Sequence, residues 1–307
     1  MIFSRGLLVV LLAGAVGCNA GGKTEPPLPQ CPESVWVEPP ACGTVGALGS
    51  LVPGPGDEGY DDALAARAHA YERQFHVFNA HTTDVNADAS VPLEMAEQRG
   101  LIEQFLTETQ EWDFESWSGR TVEEVIGQWQ KVAGMYAGAG IAADAFRYGV
   151  LRDGGGPCDE VQRARQFVLA DMDAMHLATA ITGVPGVIAR GFIRTDYAGA
   201  DYETTPLFDG SGHPLPEDKD NGTWRQDNSG GLYPDYIWED SCSRDMFIGW
   251  VLGMASVWEV VRLDPTIPQE KKTRLQEDAA ALARSLMIED DRGFDLQVHD
   301  ADGRITY

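Results

Sequence analysis

The segment from position 233 to position 245, YPDYIWEDSCSRD, is the part of the sequence richest in groups that could do chemistry. It combines four carboxylates with a guanidinium and an indole, contributed by Asp235, Glu239, Asp240, Asp245, Arg244 and Trp238. Aromatic rings stack on sugars, and carboxylates act as general acid and base at glycosidic bonds. The pattern predicts a sugar-binding or sugar-cleaving site in which one of these acids donates the proton. A structural role is the alternative: Asp240 caps a helix, Arg244 pairs with it, and Trp238 fills the core.

Two arginines and a lone histidine could extend that site. Arg190 and Arg194 lie four residues apart and could bind a carboxylate or an acidic sugar, or they could pair with the many acids of this protein. His213 lies in a stretch from 198 to 231 that is rich in Gly, Pro, Asp and Asn. Long stretches of this kind inside a domain are often functional, so His213 could lie on a lid. It could equally be an exposed loop histidine.

Metal-binding patterns in the sequence are incomplete. The runs DKDNG at 218–222 and DADG at 300–303 each match part of a calcium loop, and a tight turn explains both as well. No cysteine–histidine spacing resembles a zinc site, and His69 and His76 lack a further ligand at metal-binding spacing. We therefore predict no metal site and no cofactor, with calcium as the one ion that the sequence leaves open.

Two runs resemble segments of a known fold family. ATAITGVPGVIARGFIR at 178–194 and WEDSCSRDMFIG at 238–249 are similar to segments of uncharacterised secreted proteins of the six-hairpin, α/α-toroid glycosidase-like type. Cys242 and Met246 stand where those relatives often have Thr and Gln. The resemblance covers about Cys158 to Tyr307 and implies an α/α-toroid without implying a substrate. A full ring needs about twelve helices, so we expect a partial ring or a truncated one.

Helices dominate the elements that must position these residues. Apolar residues recur at helical spacing in seven segments, at 61–79, 90–106, 121–136, 142–151, 158–182, 240–261 and 266–286. In the first segment Leu64, Tyr71 and Phe78 would face the core. The pattern predicts a mainly α fold of helical hairpins with almost no strand. A buried extended piece at 187–193 and a β-hairpin at 294–307 are the exceptions.

Local signals set the expected helix ends. Ser90 would cap the second helix, Thr121 opens a capping box with Glu124, and Thr266 would start the last helix with Gln269. Gly183 would end the helix predicted at 158–182. The run Gly138-Ala-Gly140 would interrupt a helix, whereas Gly249 and Gly253, four residues apart, would let a neighbouring helix approach closely.

The first residues have the three parts of an export signal. Arg5 precedes a short apolar run, and small residues lead into Cys18. The run is shorter than the roughly 20 residues of a transmembrane helix. A cysteine directly after small residues resembles the bacterial lipobox, so we predict a signal peptide at 1–17 and lipid, such as palmitate, on Cys18. Asn19 favours the outer membrane of a two-membrane bacterium. The alternative is a plain signal peptide with an incidental cysteine.

Composition divides the rest of the chain and limits its partners. Positions 18–58 are rich in Gly and Pro and predict a tether, and positions 59–307 predict the helical domain. The formal net charge of −25 excludes nucleic acid as a partner and leaves the lipid as the membrane contact.

The cysteines fit an oxidising compartment. With Cys18 carrying lipid, four cysteines remain, and we expect the disulfides Cys31–Cys42 and Cys158–Cys242. The sequence thus predicts an exported lipoprotein whose toroid-like domain binds or processes a polysaccharide, as a glycoside hydrolase or a lyase if it is an enzyme. The alternative is a non-catalytic surface lipoprotein with a structural or protein-binding role in the envelope.

Overall fold

The computed structural model describes residues 35–44, 57–81, 83–213, 215 and 222–306. Cys18, Cys31 and the predicted signal peptide lie outside the described residues, as do positions 218–221 of the calcium-like run. Eight α-helices and five short strands make up the described part, which is mainly α, as the sequence predicts. Among the described helices, none combines the length and the apolar character that crossing a membrane requires.

The first helix forms where it is predicted but turns a different face to the core. Helix α1 (Asp62–Gln74) starts at its cap Asp61 and runs into a π-helical turn, Phe75–Asn79. Phe78 is buried, but Leu64 and Tyr71 are 63% and 64% exposed, so that part of the prediction is wrong. Arg73 occupies the inner face instead, because its guanidinium donates to the carbonyl oxygens of Phe105, Leu106 and Glu111. It thereby satisfies carbonyl groups at and beyond the end of the next helix.

The region from 87 to 133 contains less helix than predicted. Strand β1 (Ala87–Ser90) precedes helix α2 (Ala96–Glu108), so Ser90 is a strand residue and not a cap. Helix α3 (Phe114–Ser118) follows. Thr121 forms the expected capping box, but helix α4 ends after one turn, Val122–Val125. Strand β2 (Gln128–Ala133) replaces the rest of that predicted helix.

A bulge explains why β2 resembles a helix in the sequence. Its buried residues Trp129 and Val132 are three positions apart. They pair with Ala89 and Ala87, which are two positions apart on β1, and the register shifts between these pairs. One extra residue on β2 therefore turns an alternating pattern into a spacing of three.

Five strands form one antiparallel sheet in the order β1-β2-β3-β5-β4. The remaining strands are β3 (Gly191–Arg194), β4 (Trp224–Gln226) and β5 (Tyr236–Glu239). Strand β3 lies where the buried extended piece was predicted, but the expectation of almost no strand is wrong. Strands of three to six residues are too short to display a clear alternation. Near the C-terminus, His299 and Ile305 form a single antiparallel bridge of the predicted hairpin.

Two helices pack closely through glycines. Helices α5 (Gly134–Asp153) and α7 (Arg244–Val261) meet where a Cβ atom on Gly138 would lie 1.8 Å from the carbonyl oxygen of Gly249. The predicted close approach at Gly249 and Gly253 is confirmed. The predicted interruption at Gly138 is wrong, because this glycine continues α5 and serves as its contact surface.

The last helices are bounded by different residues from those expected. Helix α6 (Cys158–Ala180) ends before Gly183, whose φ of +66° confirms the left-handed stop. Helix α8 (Gln269–Leu286) follows Pro268, and the hydroxyl of Thr266 donates to Asp264 instead of capping α8.

The disulfide pairing differs from the prediction. Cys42 bonds to Cys158, which overturns both expected pairs. The segment around Cys42 lies against the start of α6, where the amide of Gly43 donates to the carbonyl of Gly156 at 2.8 Å. Cys242 is a buried free thiol, and burial raises its pKa. Cys31 and Cys42 were expected to pair because they are close in sequence, and Cys158 and Cys242 were the remaining two. Both pairs are wrong because the fold brings Cys42 and Cys158, 116 positions apart, together.

Candidate functional site

The acid-rich segment around β5 does not form one site. Trp238 is fully buried and donates from its indole to the carbonyl of Gln226, so it has the structural role. Asp240 is also buried, but its partner is Arg225 at 2.8 Å and not Arg244. It does not cap α7, which begins after Ser243. The pairing follows from the sheet, because β4 brings Arg225 opposite Trp238 on β5.

The ionisation of Asp240 reflects that environment. Burial raises the pKa of its carboxyl, and the amide of Ala301 and the guanidinium of Arg225 act in the opposite direction. Arg244 and Asp245 lie exposed on the first turn of α7. Asp240 is therefore enclosed and paired, which does not suit a group that must meet a substrate.

Three other predicted residues do come together. Glu239, whose side chain is 7% exposed, forms ion pairs with Lys131 and, at 3.6 Å, with Arg190. Arg190 also donates to the hydroxyl of Ser243 at 2.7 Å, and that hydroxyl donates to Asp245. This series of ion pairs and hydrogen bonds links β2, β5 and α7. It supports the structural alternative for Arg190, which pairs with an acid of the protein itself.

Arg194 and His213 lie apart from that network. Arg194 pairs with Asp196 at 2.6 Å and lies over the ring of Tyr197, whose hydroxyl it contacts at 3.1 Å. The side chain of His213 is 79% exposed, and its imidazole lies 3.7 Å from the carboxylate of Asp209.

A second set of residues lies around Asp84, in the loop after the π-helical turn. Asp84 has a φ of +60°, a left-handed conformation that few residues other than glycine adopt and that occurs often at functional sites. The charges of Asp173 and His81 act on it, and its own charge acts on Tyr197 and Tyr236. We group Asp84, Asp173, Tyr197, Tyr233 and Tyr236, which are connected by these electrostatic effects and by the Tyr233–Tyr236 ring contact, and we call the group the tyrosine cleft.

The two carboxyls of the tyrosine cleft have pKa values shifted in opposite directions. Asp84 is exposed enough for a ligand to reach it, but the protein excludes much of its water, and this desolvation raises its pKa. The negative charge of Asp173 raises it further, whereas His81 lowers it. Burial also opposes ionisation of Asp173, but hydrogen bonds from Lys271 and Arg274 outweigh this effect and leave its pKa below the ordinary value.

The three tyrosines are held by neighbouring rings. Tyr197 contacts Trp129 edge-on at 5.4 Å between centroids, and Arg194 stacks on it. Tyr236 meets Tyr233 at 6.4 Å and Phe192 at 6.1 Å. Desolvation raises the pKa of all three tyrosine hydroxyls. They therefore stay neutral at physiological pH, as hydrogen-bonding and stacking groups.

A buried acid lies close enough to Asp84 to be affected by its charge. Asp171 is 2% exposed, and its Oδ2 atom has no hydrogen-bond partner among the described residues. Burial raises its pKa well above the ordinary value, and the charges of Asp144 and Asp84 add to this. Burial and these neighbouring charges therefore both disfavour the ionised form of Asp171. Asp144 in turn contacts the imidazole of His76 at 3.1 Å.

One group near the tyrosine cleft has the composition of a metal ligand set. Ligand atoms of His81, Glu115 and Glu123 all lie within 4.8 Å of one another, and His81 contacts Glu123 at 2.9 Å. Glu115 and Glu123 are exposed, and exposed acidic groups of this kind are common without an ion.

The sequence contains one signal that could have indicated this region. Asp171 lies three residues after Val168 and four before Met175, on the buried stripe of α6. An acid on an apolar stripe needs either a partner or a proton. Asp84 has no comparable signal, because it lies in a polar loop where an aspartate is ordinary.

Comparison with known proteins adds no relative: no family model matches the chain, and no significant match appears among curated proteins or solved structures.

Proposed function

We propose that this chain is an exported, lipid-anchored protein whose tyrosine cleft binds and hydrolyses a polysaccharide. The proposal rests on Asp84 and Asp173, two exposed carboxyls that interact electrostatically and whose pKa values are shifted in opposite directions. Such a pair allows one carboxyl to donate a proton while the other stays ionised. The anchor is lipid on Cys18, and the helices are part of an α/α-toroid.

Asp84 is the general acid in this proposal. Its proton passes to the oxygen that leaves as the glycosidic bond breaks, and the ionised Asp173 stabilises the positive charge that builds on the sugar ring. The water that then adds to the sugar carbon returns a proton to Asp84, so that the pair is regenerated. Lys271 and Arg274 keep Asp173 ionised throughout.

The tyrosines supply the binding surface. Each presents an apolar ring and a neutral hydroxyl, which suits the alternation of apolar faces and hydroxyl groups on a sugar. Arg194 lies over the ring of Tyr197 and contacts its hydroxyl at 3.1 Å, which fixes this binding group in place. The candidate proton donor thus moves from the acids around β5 to Asp84.

The test is turnover by the full chain on a panel of polysaccharides, read as the release of reducing ends. We expect Asp84→Asn to lower the rate by about 10²–10⁴-fold, the range for loss of a general acid. Asp88→Asn is the matched control, because Asp88 is an exposed aspartate four residues away.

Three outcomes are distinguishable. Equal loss in both variants would contradict a specific role for Asp84. Binding without turnover, unchanged by Asp84→Asn, would support the non-catalytic surface lipoprotein. Neither binding nor turnover on any polysaccharide would reject the proposal.

A further inference from the structure

A groove outside the tyrosine cleft separates α1 from α5. Its volume is about 540 Å³, within the range of small-molecule sites. Its polar wall consists of His69, Glu72, His76, Asp144 and Arg147. We name this feature the α1–α5 groove.

Two of its polar groups are fixed in place. The side chains of His76 and Asp144 are 7% and 8% exposed, and the imidazole Nε2 lies 3.1 Å from the carboxylate. The imidazole ring also stacks on Phe167 with 3.5 Å between centroids. The groove therefore has a preformed wall whose groups need no reorganisation to meet a ligand.

Arg147 has an unused hydrogen-bond donor at this wall. Its Nε contacts Glu72 at 2.5 Å and its Nη2 contacts Glu160 at 3.1 Å. Its Nη1 atom is buried and has no hydrogen-bond partner in the part of the chain that the structure describes. A buried donor without a partner is destabilising, so a ligand acceptor that reached Nη1 would be stabilising.

The charges of the wall select a neutral ligand. Arg147 is balanced by Glu72 and Glu160, and Asp144 lies against His76. An anion entering the groove would face carboxylates, and a cation would face the guanidinium. A hydroxyl group can both accept from Arg147 and donate to a carboxylate.

Ring surfaces and small residues complete the groove. Tyr71, 64% exposed, and Phe75 contribute aromatic faces, while Ala68 and Gly140 leave the space open. A side chain at Gly140 would meet Phe75, since even a Cβ atom there would lie 2.5 Å from its ring.

We infer that the α1–α5 groove is a second ligand site that takes a neutral, hydroxylated ring compound of the sugar class. The site stands on the groove residues alone and does not require the tyrosine cleft to be catalytic. In an enzyme acting on long polymers, a second sugar site of this kind raises the local concentration of substrate at the first.

The test is calorimetric titration of the full chain with cellohexaose, xylohexaose and maltohexaose. Two charged hexamers are titrated alongside them: an acidic one made of galacturonate and a basic one made of glucosamine. We expect at least one neutral hexamer to bind and both charged hexamers to bind more weakly.

Ala68→Trp fills the groove from an exposed position and should weaken binding at least tenfold. Ala66→Trp, on an exposed position of α1 that does not line the groove, should leave it unchanged.

Trp112 reports on the same place. Its ring lies 5.7 Å from that of His69 and 6.3 Å from that of His76. Binding in the groove should change the tryptophan fluorescence of the protein, and Trp112→Phe should abolish that change. Asp84→Asn should leave the affinity of the groove unaltered. Three results would each overturn the inference: equal affinity of Ala68→Trp and Ala66→Trp for the ligand, tighter binding of a charged hexamer than of the neutral ones, or no heat of binding with any neutral hexamer.

Discussion

Acidic residues in two regions of this molecule have opposite surroundings. Beside β5 the chain supplies a base for each buried acid: Arg225 for Asp240, and Lys131 with Arg190 for Glu239. Around the tyrosine cleft, Asp84 and Asp171 face other carboxylates. The difference shows that the density of acids in a sequence does not locate chemistry. What matters is whether the fold neutralises an acid with a base or leaves it to hold a proton.

The largest expected effect is on the buried pair beside β5. Asp240→Asn leaves the Arg225 guanidinium buried without its counter-charge, and both side chains are only 1% exposed. We expect a loss of about 3–5 kcal/mol in the free energy of unfolding, measured by urea denaturation. The double variant Asp240→Asn with Arg225→Met removes both charges and should recover much of that loss. A single variant as stable as the wild type would show that the pair is not the structural element we describe.

Replacing the buried acid Asp171 should stabilise the protein as the pH rises, whereas replacing Asp240 should destabilise it. Because the pKa of Asp171 is raised, the folded protein keeps a proton that the unfolded chain releases above about pH 4. As the pH rises through this window, the wild type loses up to about 1.4 kcal/mol per pH unit through this group. Asp171→Asn keeps the shape without the proton, so its stability relative to the wild type should increase with pH.

Urea denaturation between pH 4.5 and pH 7.5 measures that difference. Asp173→Asn is the contrasting variant. The pKa of Asp173 is lowered, so its carboxyl is ionised in both the folded and the unfolded state over this range, and its difference from the wild type should stay constant. A constant difference between Asp171→Asn and the wild type at every pH would contradict a protonated Asp171.

The sequence predicts the helical framework better than the site, for identifiable reasons. Helices α6, α7 and α8 carry long apolar stripes that face the core, and their existence follows from spacing alone. Helix α1 forms where it is predicted, although Leu64 and Tyr71 of its predicted stripe are exposed. The sheet was missed because its strands are short and because the bulge in β2 imitates helical spacing at Trp129 and Val132. Glu239 and Arg190 do meet, but Arg225 and Asp84 come to their positions through long-range strand order and a loop, which local patterns do not encode.

The smallest expected effect concerns an exposed pair that resembles the buried one. Arg194 and Asp196 form an ion pair at 2.6 Å, but their side chains are 33% and 57% exposed. Asp196→Asn should therefore change the free energy of unfolding by less than about 1 kcal/mol, and the effect should shrink further at high salt. An effect as large as that of Asp240→Asn would break the distinction between buried and exposed pairs.

The measurement that tests the central claim most directly is an NMR titration of the aspartate carboxyl carbons, with Asp84→Asn and Asp173→Asn used to assign the two signals. We predict that Asp84 titrates above the ordinary aspartate value of 3.8 and Asp173 below it. In Asp173→Asn, the pKa of Asp84 should fall, because a neighbouring negative charge has been removed, and should stay above 3.8, because burial remains. If Asp84 and Asp173 instead titrate together near 3.8, or if Asp173→Asn leaves the pKa of Asp84 unchanged, the acid–carboxylate pair of the tyrosine cleft does not exist.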